Sequence, residues 1–341
     1  MAHKRGVGWR DEAAAGLMAR TLSRVGVRGS LLVMLEVREE VAAAVRAAGG
    51  EPHVWHRVAA GGRTASSWPA GGPYDSATLR LPKAREELEM SLHAAAMSLR
   101  GGGRLWVYGA NDEGARSAVE QIRQVMGSAA TVATGGRCRV VETERPARMP
   151  KLRGTLERWR SEEDLDLPPL PARWVSYPGV FAHGRVDAGT LALVRSIPSL
   201  HPGARVLDFA CGSGLLGAYV VARNPDVAVD FLDADAVALA AVEANVPGAR
   251  RILSDGFSEA GNARYDLIVS NPPYHEGKEQ TERILTDLVR AAPAHLTPEG
   301  TLLLVTQRRL PVRPHLETAF RAVRVILDEG PYRIWRAERK A

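Results

Sequence analysis

The sequence predicts an α/β protein of two tandem, mostly parallel sheets. Three observations carry this. Apolar runs of strand length alternate with helix-period segments twice along the chain, an acidic and proline-rich stretch separates the two runs, and the second run holds a small-residue strand–helix turn and an Asn-Pro-Pro corner. The 341 residues suffice for about two domains, and 45% hydrophobic with 25% charged residues is ordinary for a globular protein.

In the first run, residues 31–35 read as a strand, 37–48 as a helix, 77–81 as a strand, 83–99 as a helix, 103–108 as a strand and 113–126 as a helix. Residues 151–172 read as a linker, because acidic Ser161 to Asp166 and Pro168-Pro169-Leu170-Pro171 punctuate rather than pack. In the second run, 187–197 is a helix, 204–209 a strand, 214–222 a helix, 228–232 a strand and 236–245 a helix. Then come strands at 251–253 and 266–269, a helix at 279–294, a strand at 301–306, and a hairpin of 323–327 with 332–335. The halves echo each other. Tyr74-Asp75 with the strand after it lines up with Tyr265-Asp266 and its strand, and Gly103 to Tyr108 with Gly300 to Val305, as an internal duplication would require.

Cys138 and Cys211 form neither a disulfide framework nor a zinc site by spacing, so a reducing compartment is expected. No apolar stretch approaches the ~18 residues of a membrane span. Met1 to Arg5 is followed by no signal core. The expectation is a cytoplasmic protein with no membrane and no metal partner. Its net charge of +6 lies wholly in residues 1–150, which hold 21 Lys and Arg against 15 Asp and Glu, and this fits a polyanionic partner.

The chemistry sits at predicted strand ends. Asp208 precedes the turn Ala210-Cys211-Gly212-Ser213-Gly214, where small residues admit a ligand and a helix opens. Asp208 is suited to a ligand's amino group. Asp233 ends the next strand and is placed to take ribose hydroxyls. Asp255-Gly256-Phe257 offers an acceptor and an aromatic ring for an adenine. Pro272 and Pro273 stop the strand at 266–269, leaving Asn271 at its carboxyl end. There the Asn271 oxygen and Pro272 carbonyl accept from an exocyclic amine, while Tyr274 offers a stacking face. Singly, a strand-end Asp is more often a helix cap and Asn-Pro-Pro more often a turn. All four in order form a constellation.

That constellation resembles the Rossmann-type S-adenosylmethionine-dependent methyltransferases. Pro178-Gly179-Val180-Phe181, Asp187-Ala188-Gly189-Thr190, Phe257-Ser258-Glu259, His275-Glu276-Gly277, Leu310-Pro311 and Gly109 to Gly114 extend it. Together they resemble the bacterial ribosomal RNA guanine-N2 methyltransferases of the small-subunit methyltransferase C type. The resemblance implies a degenerate methyltransferase-like domain at 1–150 and a seven-stranded class I methyltransferase domain at 173–341. It implies S-adenosyl-L-methionine held by Phe181, Asp187, Gly189, Thr190, Asp208, Ala210, Gly212, Gly214, Asp233, Asp255, Gly256, Phe257 and Asn271. Catalysis falls to Asn271, Pro272, Pro273 and Tyr274, and the partner is ribosomal RNA, 16S, or the small ribosomal subunit. Two single positions and one run depart from the family pattern: Ala210 replaces a glycine, Tyr274 a more usual Phe, and Gln307-Arg308-Arg309 an asparagine-containing run. Adenine-N6 or protein glutamine-N5 methylation, or a non-catalytic RNA-binding role, stay open as alternatives. In the first half, Glu36 follows the strand with no glycine turn, and Arg80-Leu81-Pro82-Lys83 stands in the place of the Asn-Pro-Pro corner. Arg80 and Lys83 are therefore expected to meet RNA.

Overall fold

A computed structural model of the chain describes residues 8–272 and 278–340. Pro273, Tyr274 and His275 lie outside the described residues. The chain divides into two compact units. Residues 8–57 with 65–159 form the first, and Val58–Thr64 with residues 160–341 the second.

The first unit runs α1 (Trp9–Val25), β1 (Ser30–Met34), α2 (Glu40–Ala47), β2 (Glu51–Trp55), β3 (Tyr74–Arg80), α3 (Arg85–Ser98), β4 (Leu99–Ala110), α4 (Ala118–Met126), β5 (Ala130–Gly135) and β6 (Cys138–Glu144). Its six-stranded sheet has the order β2-β1-β3-β4-β6-β5. One face buries Leu79, Leu92 and Leu105 under α3 and α4; the other buries Met18, Leu31 and Trp106 under α1 and α2. Strands covered on both faces read as continuous apolar runs, which is why β1 and the second half of β4 stand out in the sequence.

The second unit contains β7 (Ser161–Asp164), β8 (Arg173–Ser176), α5 (Ala188–Arg195), β9 (Arg205–Phe209), α6 (Leu215–Arg223), β10 (Ala228–Asp233), α7 (Ala236–Asn245), β11 (Arg250–Leu253), β12 (Tyr265–Ser270), α8 (Lys278–Ala291), β13 (Leu296–Gln307), α9 (Arg313–Ala319), β14 (Ala322–Glu329) and β15 (Tyr332–Glu338). Its seven-stranded order is β11-β10-β9-β12-β13-β15-β14. Strands β11 to β13 are parallel and the β14–β15 hairpin closes the sheet antiparallel. The acidic stretch read as linker is not all loop: β7 pairs antiparallel with β8. Its side chains alternate half-buried and exposed, so backbone pairing carries a strand that hydropathy does not mark.

The two sheets share one plan. Removing β11 from the second leaves an order that maps strand for strand onto the first. The register agrees to the residue. Tyr74 faces Leu99 and Ser76 faces Arg104, as Tyr265 faces Leu296 and Leu267 faces Thr301, with a register shift at the same point in both. This alignment sets Arg80 opposite Asn271 in the duplicated plan.

Candidate active site

Parallel strands present their carboxyl ends at one edge, where helix N-termini gather. In the second unit that edge carries Ala210 after β9, Asp233 at the end of β10, Asp255 after β11 and Asn271 after β12. A cleft opens there, lined by Phe181, Asp187, Thr190, Ala210, Gly212 and Asn271 among others. Six of the predicted residues are thus brought together.

Asn271 is the most constrained of them. Its Nδ2 donates to Asp187 Oδ2 at 2.9 Å and to Thr190 Oγ1 at 2.8 Å. Asp187 is itself the N-cap of α5, its Oδ2 accepting from the Thr190 backbone N–H at 2.9 Å. A flipped amide would set oxygen against carboxylate, so the two acceptors fix which end of the amide points where. Asn271 Oδ1 is left buried and, among the described residues, has no donor. An orphan acceptor of this kind costs about 1–3 kcal/mol unless something completes it.

The turn after β9 is shaped from behind. Asp233 accepts from Gly212 N–H at 2.8 Å and from Asp235 N–H at 2.9 Å. Burial, then the charge of Asp235, pushes its carboxyl up to about 6. Asp208, expected to meet a ligand's amino group, is fully buried instead. It accepts from Gly217 N–H at 2.8 Å inside α6, and burial lifts its carboxyl to about 8. It supports the turn from beneath. Ala210 occupies the left-handed region at φ 55°. The Cys211 thiol is pushed well above its ordinary range by burial and by Asp233, which favours the thiol over the thiolate.

Some predicted residues sit away from the cleft. A side chain on Gly214 would come within 3.0 Å of Val242, and one on Gly189 within 3.0 Å of the Tyr332 ring, so both glycines serve close packing. Phe257 packs against two rings of its own unit. His295 stacks on it at 4.3 Å, and Phe209 lies against it at 4.7 Å. Asp255 and Gly256 follow β11 at the outer end of the same edge.

Sequence reasoning missed a second ring of support. Trp174 Nε1 donates to Ser213 Oγ at 2.9 Å. Asn245 accepts from Val175 N–H at 2.8 Å and donates to the Ser213 carbonyl at 3.0 Å, stapling β8 to the turn. These partners lie 32 or more positions apart, and no local spacing announces them.

In the first unit the corresponding edge is filled by its own side chains. Leu35 takes the left-handed turn at φ 58°. Glu36 then accepts from Val41 N–H at 2.6 Å and Ala42 N–H at 3.2 Å, occupying the start of α2, and burial lifts its carboxyl to about 7. Arg80 was expected to face RNA. It is 6% exposed and pairs with Asp11 at 2.9 Å and Glu113 at 2.7 Å. An arginine so enclosed and doubly paired is not presented to a phosphate at the surface.

Among the described residues no helix is long and apolar enough to cross a membrane, and no cluster of His, Cys, Asp or Glu is grouped to hold a metal ion.

The methyltransferase small domain family matches residues 172–336, and the methyltransferase small domain N-terminal family residues 29–159. The chain is 32% identical over 327 residues to the ribosomal RNA small subunit methyltransferase C of Hahella chejuensis, covering 91% of this chain and 94% of that protein. It is 34% identical over 272 residues to the protein of that name from Pseudomonas putida, covering 78% and 80%. Among solved structures it superposes on a T. thermophilus 16S rRNA N2 methyltransferase in complex with AdoMet and guanosine. The TM-score is 0.77 at 26% identity, over 98% of this chain and 93% of that one.

Proposed function

Because the chain belongs to the ribosomal RNA small subunit methyltransferase C family, we propose that it methylates the exocyclic N2 amine of a guanine in 16S ribosomal RNA. It is an S-adenosylmethionine-dependent methyltransferase. Residues 173–341 are read as the catalytic domain and 1–150 as a relative that has lost the chemistry and docks RNA through surface cations other than Arg80. A ribosomal substrate puts its work in the cytoplasm.

The observation that carries the reading is the orphan oxygen of Asn271. An amide held by its nitrogen, on a residue that lines the cleft, with its oxygen buried and unpartnered among the described residues, suits a planar group that brings an N–H. The cofactor's place fits the residues present: a small-residue turn from Ala210 to Gly214, with the Asp233 carboxylate braced beside Gly212. When bound, the cofactor supplies an electrophilic methyl on a sulfonium. The protein's part is positioning. Asn271 Oδ1 and the Pro272 carbonyl accept the two amine hydrogens. That geometry draws the nitrogen lone pair out of conjugation with the ring and aims it at the cleft. A guanine stacked in a helix cannot reach this corner, so the target is unpaired or extruded.

The test is labelled methyl transfer onto small ribosomal subunits from a strain lacking the gene, with nucleosides resolved by mass spectrometry. Label in N2-methylguanosine is expected. Label in N6-methyladenosine, or in a release-factor glutamine when that protein is offered, overturns the assignment.

A further inference from the structure

Val58–Thr64 follows β2 in the chain yet packs as part of the second unit. Val58 forms an antiparallel bridge with Asp235. Ala59 N–H donates to the Ala234 carbonyl at 2.8 Å. The chain then turns through Gly61 and Gly62, both left-handed at φ 61° and 77°, and Arg63 Nε closes the turn on the Ala60 carbonyl at 2.7 Å. At the apex, Gly61 N–H donates to Asp255 Oδ2 at 3.0 Å.

These anchors are not scattered. Ala234 and Asp235 directly follow Asp233, whose carboxylate shapes the cleft turn, and Asp235 N–H is one of its donors. Asp255 belongs to the neighbouring strand end, and Ser254 N–H donates to the Asp233 carbonyl at 3.0 Å. The segment therefore fastens the ends of β10 and β11 together on the side where ribose and adenine are read to lie. Asp255 is exposed, and an exposed carboxylate rotates unless something holds it. The Gly61 donor takes Oδ2 and leaves Oδ1 for a second partner.

We propose that residues 58–64 are a positioning strap for the adenosine half of the cofactor. Gly61 N–H fixes the Asp255 carboxylate so that its other oxygen accepts from the adenine exocyclic amine, and Ala59 N–H fixes the Asp233–Asp235 backbone against it. This rests on the cofactor reading above. Gly61 acts through Asp255 and touches no reacting atom.

The experiment measures two ligands on the full chain by calorimetry: S-adenosylhomocysteine, and S-inosylhomocysteine, which lacks the exocyclic amine. The wild-type protein is expected to prefer the adenosyl ligand by about tenfold or more, the scale of one hydrogen bond to a charged acceptor. Asp255→Ala removes the acceptor and should bring the ratio near one. Deleting Gly61 and Gly62 removes the apex donor and should lower the ratio in the same sense. Ala59→Pro removes only the N–H to Ala234 and should weaken both ligands by a few fold while keeping the ratio. Thermal unfolding of each variant reports whether it folds, and Ala59→Pro keeps the test standing if the deletion does not. No binding by the wild type defeats the cofactor reading itself. Binding with a ratio that the deletion leaves intact, or with affinities that Ala59→Pro leaves intact, overturns the strap. A wild-type preference that survives Asp255→Ala overturns it as well.

Discussion

Asn271 Nδ2 donates to Asp187 Oδ2 at 2.9 Å, so a residue at a strand end is clamped by a helix cap 84 positions earlier. The clamp decides which end of the amide is left without a partner among the described residues. Asp187→Ala is expected to lower kcat by about tenfold or more, through lost orientation of the acceptor. It should also cost about 1 kcal/mol of stability through the lost cap. Asp187→Asn can still present one oxygen to both Thr190 N–H and Asn271, and should recover most of the rate. Steady-state kinetics beside thermal unfolding separate the two effects. Equal loss in both variants would mean that charge, not orientation, is what Asp187 supplies.

Asn271→Ala removes the acceptor itself. A fall in turnover on the order of 100-fold is expected, with S-adenosylhomocysteine affinity close to wild type, because the proposed function assigns the unpartnered oxygen to the methyl acceptor and not to the cofactor. Thr190 and Asp187 then lose a donor, so a modest drop in unfolding midpoint accompanies it. Turnover near wild type would reduce Asn-Pro-Pro to a turn.

Asp233 sets a pH dependence. Burial and Asp235 raise its carboxyl to about 6 in the folded protein, above the ordinary value of ~3.9. A raised acid favours the folded state below pH ~4, and that contribution is lost as pH rises through about 6. With Asp233 read as the acceptor of ribose hydroxyls, cofactor binding is expected to run the other way, since that contact needs the ionised form. Affinity should be full above pH 7 and fall by up to about tenfold per unit below 6. Calorimetry at pH 7.5 and pH 5 checks it, and Asp233→Asn should bind weakly at both.

Ala210 holds a left-handed turn that a glycine takes without strain. The conformation costs an L-residue about 1–2 kcal/mol, and glycine gives back about 0.5–1 kcal/mol in backbone entropy. Ala210→Gly should therefore stabilise the protein by up to about 1 kcal/mol, with cofactor affinity kept or improved. A lower unfolding midpoint would mean that the methyl packs usefully, since Ala210 also borders the core around Phe209 and Leu207.

What the sequence made legible follows from how each feature is encoded. Buried parallel strands such as β9 and β12 are written as short, mostly apolar runs, and the residues that end or follow each run fall at the ligand edge. So Ala210, Asp233, Asp255 and Asn271 were readable one by one. The edge strand β7 was not, because its four residues include three acids. Nor was the packing of Phe257 against His295, or the clamp of Asp187 on Asn271. Each joins residues on separate elements, and only the folded sheet determines their approach.

The same reasoning explains the misreading of Arg80 and yields a last prediction. In sequence it is a cation where the second half has Asn271. In the fold its partners Asp11 and Glu113 come from 69 and 33 positions away and enclose it. Arg80 is 7% exposed at its side chain, Glu113 18% and Asp11 29%, so the cluster is largely desolvated. Removing one member of such a cluster strands the others. Arg80→Ala should cost about 3 kcal/mol, the low end for a buried pair because Asp11 stays partly in water. Glu113 Oε2 also accepts from Ala110 N–H at 3.1 Å, so it cannot easily swing out to solvent. Replacing all three with apolar residues, Arg80→Met with Asp11→Leu and Glu113→Met, should restore much of the loss. RNA affinity and its dependence on salt should be unchanged in the triple variant, since no phosphate loses a partner. Denaturant unfolding together with a salt titration of binding tests both halves. A flattened salt slope in the triple variant would return Arg80 to the RNA surface.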